Sequence, residues 1–185
     1  MKFSVVALPA LFLGAWAAPA MQTKRQQVTA VTDLVSGLLD NVLSSTGIIN
    51  KTLDGVTGLT VDADVTAAVK LNIGTIVSDV EDVIPQITSL TIADDLISEV
   101  ESLVAGLVSE VVAEVSNTLK VVEDIVPLDE ITTEVSDLTG SFSGLLSSLE
   151  SLGLTNILST VTGLLSSTGA LSTVTGLLGG LPLGL

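Results

Sequence analysis

The side chains in this chain with the most chemical reach are carboxylates, and many come in pairs: Asp62/Asp64, Glu81/Asp82, Asp94/Asp95, Glu123/Asp124 and Asp129/Glu130. Two facing carboxylates can hydrolyse a glycoside, one donating a proton while the other acts as base or nucleophile across a sugar-lined cleft. Sugar clefts also use aromatic platforms, and after Phe3, Phe12 and Trp16 the only aromatic residue is Phe142. The pairs fall instead at expected helix starts, where acids complement the dipole, or on solvated faces. Asp62-Ala63-Asp64 opens like a calcium loop but lacks the remaining ligands.

Other constellations are excluded by absence. With no histidine and no cysteine, a Ser-His-Asp triad, a thiol nucleophile and a histidine-ligated metal are all out of reach. Gly140-Ser141-Phe142-Ser143-Gly144 has the outline of a nucleophile elbow, but its central residue is Phe142 and not serine. The same glycines form G-x-x-x-G. Asp137 and Glu150 lie too close for a bilayer span, so the pattern reads as helix packing or a weak point in a helix. The expectation is a protein that is not an enzyme, with no catalytic residues, no cofactor and no metal.

Two short motifs concern processing. Met1-Lys2, the apolar residues 3–12 and the small residues 15–20 have the layout of a secretory signal, with cleavage after Ala18 or Ala20. Lys24-Arg25 follows and reads as a dibasic processing site that leaves Gln26 as the mature N-terminus. Asn50-Lys51-Thr52 is the sole N-x-[ST] sequon, a candidate for N-glycosylation at Asn50 unless it goes unused.

These motifs sit in a chain of 185 residues with 21 acidic and 6 basic side chains, net −15. After both cuts, three lysines would face the same 21 acids, net −18. Such a charge repels phosphate backbones and anionic membranes, so no nucleic acid partner is expected. At 47% hydrophobic the chain is too apolar for simple disorder. Without cysteine there is no disulfide scaffold. A core built from Val, Leu, Ile and Ala, diluted by 16 glycines, lacks the aromatic side chains that usually impose unique packing.

The apolar spacing is helical. Val28, Val31, Val35, Leu38 and Val42 step by three and four, up to an expected stop at residues 44–47 and a weaker segment over 48–56. A second helix is predicted over 62–84, closed by Pro85. A third, the longest, runs from near Ala93 to Val126, about 50 Å if unbroken, with Ser116-Asn117 as an alternative break. In the fourth, Ile131, Val135, Leu138, Phe142, Leu145, Leu149 and Leu152 alternate by four and three. Many stripe residues are β-branched, which favours strands, yet period-two alternation is hardly seen. The predicted fold is all-α, an amphipathic bundle of four to six helices with Val100, Leu107, Val111, Leu138 and Phe142 buried.

The domain reading is a signal peptide at 1–20, a propeptide at 21–25, a bundle at 26–152 and an uncharged apolar tail at 153–185. The tail repeats LSTVTGLL at 158–165 and 171–178. Three readings of it stay open: a diluted helical pair packed on the bundle, an adhesive tail, or a membrane span or removed anchor signal.

The combination of signal, dibasic pair, cysteine-free Val/Leu/Thr-rich helices and segments such as QQVTAVTDLVSGLLDNV (26–42) and SEVESLVAGLVSEVV (98–112) resembles the fungal hydrophobic-surface-binding proteins, related to cell-wall galactomannoproteins. The resemblance covers residues 27–150 and rests on organisation, without a diagnostic motif. It implies a secreted helical protein, extracellular or in the cell wall, that adsorbs to hydrophobic surfaces or holds lipid. The function expected is non-catalytic binding of hydrophobic surfaces or lipid acyl chains. The alternative is a structural component of the cell wall or matrix that meets cell-wall polymers.

Overall fold

The computed structural model describes residues 18–56 and 61–159. Residues 1–17 of the expected signal peptide at 1–20, most of the first LSTVTGLL segment and all of the second lie outside the described residues. The fold is all-α: four long helices pack into a bundle, and no strand occurs among the described residues. They are α1 (Ala18–Leu53), α2 (Ala63–Thr88), α3 (Ile97–Ile125) and α4 (Leu128–Ser151).

Several boundaries differ from expectation. Helix α1 passes straight through residues 44–47, and the segment expected to be weak is its last turns. Ser45 and Thr46 are buried there. Thr46 Oγ1 donates to Leu43 O at 3.3 Å and to Glu114 Oε1 at 2.9 Å, so its polarity is satisfied without ending the helix. The buried stripe runs on through Ile49 to Leu53, and the chain leaves the helix at Gly55, whose φ of 82° no other residue type adopts as easily. Pro85 lies inside α2 and does not close it. The carbonyl of Glu81 loses its amide partner, but Glu81 and Pro85 are on the exposed face, where water substitutes. One further turn lets Ile87 bury completely.

The longest helix is therefore α1, at 36 residues, and not α3, at 29. Helix α3 is unbroken at Ser116-Asn117 and about 44 Å long, its expected first turn being a separate 3-10 turn over Asp94–Leu96. Helix α4 follows after Val126 and Pro127 and is unbroken at Gly140 and Gly144.

Inter-helix contacts give the arrangement. Asn41 Nδ2 on α1 donates to Asp79 Oδ1 on α2 at 3.5 Å, which sets these two helices side by side. Thr46–Glu114 and the Lys24–Asp95 pair set α1 beside α3 in parallel. Lys70 on α2 lies 3.9 Å from Glu134 on α4, and a Cβ built at Gly144 would come 3.0 Å from Ile84 Cδ1, so α2 and α4 are also parallel neighbours. The N-terminal end of α3 meets the chain just after α4, where Asn156 N donates to Glu101 Oε1 at 2.6 Å. The close helix packings follow the order α3–α1–α2–α4, so the connection over residues 89–96 joins two helices, α2 and α3, that do not pack closely on each other.

The core is Val, Leu and Ile around one aromatic side chain, Phe142. Val100, Val111, Leu138 and Phe142 are buried as expected. Leu107 is only partly buried, because it lies on the flank of α3 that faces α1 and not on its inner face. The core also takes in Leu154 and Ile157, both fully buried, which tie the start of the uncharged segment to the bundle.

Candidate functional site

The paired carboxylates do not converge. All five pairs are exposed. Asp62 caps α2, its side chain accepting from Asp64 N at 3.3 Å, and Asp129/Glu130 occupy the first turn of α4. Asp94/Asp95 form the turn before α3. Glu81/Asp82 and Glu123/Asp124 instead lie towards the C-terminal ends of α2 and α3, on solvated faces where the dipole does not favour them. No group of three or more potential metal ligands exists among the described residues. In the G-x-x-x-G segment Phe142 points into the core, Ser141 Oγ donates to Leu138 O at 2.9 Å, and only Gly144 closely approaches a neighbouring helix.

Lys24 and Arg25 lie within α1, where Lys24 Nζ pairs with Asp95 and neighbouring Gln27 accepts from Ala93 N at 3.2 Å. The hydrogen bond to Lys24 holds the Asp95 carboxyl below the usual aspartate range. Asn50 is exposed on the last turn of α1, and Thr52 Oγ1 donates to Ile48 O at 2.8 Å.

Asn50 also lines a concave feature of the described surface. A depression of about 540 Å³ is lined by Asn50, Lys51, Leu53, Asp54, Gly55 and Val121. It forms because α1 ends at Leu53, which anchors the last turn in the core, while α3 continues past it and presents Val121. Its lining mixes aliphatic with polar and charged side chains.

A polar layer lies behind it. Glu114, Thr118 and Val121 follow one flank of α3 at steps of four and three, the flank that Thr46 meets. Thr118 Oγ1 and Ser116 Oγ are buried without a hydrogen-bond partner, as is Glu134 Oε2 on α4. Elsewhere helical hydroxyls such as those of Thr52, Thr75, Thr139 and Ser148 bond back to their own helix. Sequence reasoning missed this layer. The legible signal was a hydroxyl at an apolar-stripe position: Val42-Thr46-Ile49-Leu53 and Val111-Val115-Thr118-Val122 both step by four, three and four.

The same flank carries an aliphatic row. Leu103, Leu107, Glu110, Glu114 and Val121 line the side of α3 towards α1, and Leu39 and Leu43 flank Thr46 on α1. Leu43, Leu103 and Val121 are 46%, 48% and 42% exposed. Among the described residues, three of the five exposed large hydrophobic ones thus share one seam; Ile48 and Leu71 lie elsewhere. No described helix is long and apolar enough to cross a membrane. Protein-family models, curated protein sequences and solved structures yield no match to this chain.

Proposed function

We propose that this is a secreted, non-catalytic protein that binds hydrophobic surfaces or lipid acyl chains, outside the cell or in its wall. The observation that carries this reading is the aliphatic row on the α1/α3 seam, where Leu43, Leu103 and Val121 stand out from a surface otherwise rich in acids. Covering on the order of 250 Å² there at about 25 cal/mol per Å² contributes roughly 6 kcal/mol before ordering costs. Glu110 and Glu114 stand within the row, between Leu107 and Val121, and the chain carries −15 overall, so neutral waxes, acyl chains and apolar solids suit it better than anionic headgroups. The aromatic-poor aliphatic core supports the lipid part of the reading, since such an interior yields more readily than one fixed by aromatic packing. The exposed, unclustered carboxylates support its being non-catalytic.

The test is depletion of the purified protein from solution by apolar beads, with displacement of a fluorescent fatty-acid probe alongside. Both are run on the full chain and on a chain ending at Ser159, which keeps the buried Leu154 and Ile157. Depletion that persists in high salt supports the reading. No depletion and no displacement at any salt would reject it in favour of a structural wall component. Loss confined to the shortened chain would move the activity from the seam to residues 160–185.

A further inference from the structure

The depression at the end of α1 has a sequon built into its lining. Asn50 is at once a lining residue and the acceptor of Asn50-Lys51-Thr52, and it is exposed. Lys51 and Asp54 add a cation and an anion to the same lining, and Leu53 and Val121 supply aliphatic side chains. An N-linked core sugar matches such a lining. It presents hydroxyls and an acetamido group to polar neighbours, and C–H faces to aliphatic ones.

We propose that Asn50 carries an N-glycan whose first sugar residues seat in this depression and cover Val121, removing the lower end of the α1/α3 row from contact with apolar surfaces. The inference rests on the secretory part of the proposed function, because the modification needs the enzymes of that pathway. In the transfer, a bond forms between Asn50 Nδ2 and the anomeric carbon of a lipid-pyrophosphate-linked oligosaccharide. The C–O bond to the donor breaks, the lipid pyrophosphate leaves with the electron pair, and Nδ2 gives up one proton. In the folded protein the Thr52 hydroxyl is engaged by Ile48 O and Asn50 O accepts from Asp54 N at 2.9 Å. Modification therefore precedes closure of the last turn of α1, and the glycan is in place when the depression forms around it.

The consequence is division of the seam. Leu43 and Leu103 stay open while Val121, at the other end, is screened. Adsorption would then occur through the part of the row remote from the glycan, and the glycan would set which end of the bundle faces away from the surface.

The chain has no cysteine, so one introduced cysteine is a clean accessibility probe. Full-length protein bearing Val121→Cys is secreted from a eukaryotic host and labelled with a maleimide before and after enzymatic removal of N-glycans under native conditions. Leu71→Cys, at the most exposed large hydrophobic residue among those described, serves as the comparison. The expected result is a glycan mass lost in Asn50→Gln and in Thr52→Ala, and a labelling rate at position 121 that rises severalfold on glycan removal while position 71 is unchanged. Absence of the mass would overturn the proposal. So would an unchanged rate at 121, or an equal rise at both positions, which would mean a glycan that waves freely instead of seating. Bead depletion by Asn50→Gln is measured in parallel. Adsorption without a seated glycan leaves the proposed function intact while the glycan inference fails, whereas loss of adsorption in every form counts against the function itself.

Discussion

Thr46 Oγ1 on α1 donates a hydrogen bond of 2.9 Å to Glu114 Oε1 on α3, and Thr46 is fully buried. It is a polar tie between two parallel helices. Replacing Thr46 with valine keeps the shape and leaves a half-buried carboxylate without its donor. The expected cost is about 1–3 kcal/mol in chemical denaturation. Glu114→Gln, which retains an acceptor oxygen, should cost less. Equal stability of Thr46→Val and the parent would show that the bond contributes nothing.

Thr118 predicts the reverse. Its hydroxyl is buried and unpaired, so Thr118→Val removes a desolvated polar atom at almost constant volume. Stability should stay level or rise by up to about 1 kcal/mol. A clear loss would mean that the hydroxyl has a partner in solution, such as an ordered water.

The glycines separate into two kinds. Gly153 has φ of 93°, and a Cβ there would meet Ile97 Cδ1 at 3.1 Å. Gly153→Ala should destabilise by roughly 1–2 kcal/mol through backbone strain and the contact together. Gly74 sits within α2 with open space around its Cβ position. Gly74→Ala should stabilise by about 0.5–1 kcal/mol. Thermal melts of the two variants should shift in opposite directions.

Asp79 brings a pH dependence. Burial first, and the neighbouring charge of Asp82 second, push its pKa above the ordinary 3.8. The folded chain thus holds this proton more tightly than the unfolded chain. Stability from this group is greatest in acid and declines as pH rises from 3.8 through the folded-state value. Asp95 acts oppositely: its pKa is lowered, so its contribution is present above 3.8 and is lost as pH falls through the folded-state value. Asp79→Asn should raise the melting temperature at neutral pH and flatten the decline that sets in above pH 3.8. An unaltered pH profile would exclude Asp79 as a source of that slope.

Adsorption should depend on where aliphatic area is removed. Leu43→Glu with Leu103→Glu places charge on two exposed positions of the α1/α3 seam and should abolish bead depletion while leaving helicity intact. Leu71→Glu, on the far side of α2, should leave it largely unchanged. A double variant that adsorbs as well as the parent would remove the seam from the mechanism.

Much of this molecule was readable along the chain. The steps of three and four that end in Leu138 and Phe142, or begin with Val28 and Val31, are local consequences of 3.6 residues per turn. They specify helices and inner faces without reference to any neighbour. The same locality explains the errors. Ser44 to Gly47 has the composition of a stop, and only Glu114, 68 residues away, makes Thr46 a buried member of a continuing helix. Pro85 has the chemistry of a terminator, and only the burial of Ile87 against the core carries α2 one turn past it. Leu107 belongs to an apolar stripe, but its burial depends on how far α1 covers that flank. The candidate site is of this second kind throughout. Asn50 was legible as a sequon, whereas its neighbour Val121 came from a different helix. Periodicity decides which side of a helix is apolar. The packing order α3–α1–α2–α4 decides which flanks are covered and which, at Leu43, Leu103 and Val121, face outward, because exposure is a property of the space between elements and not of any one of them.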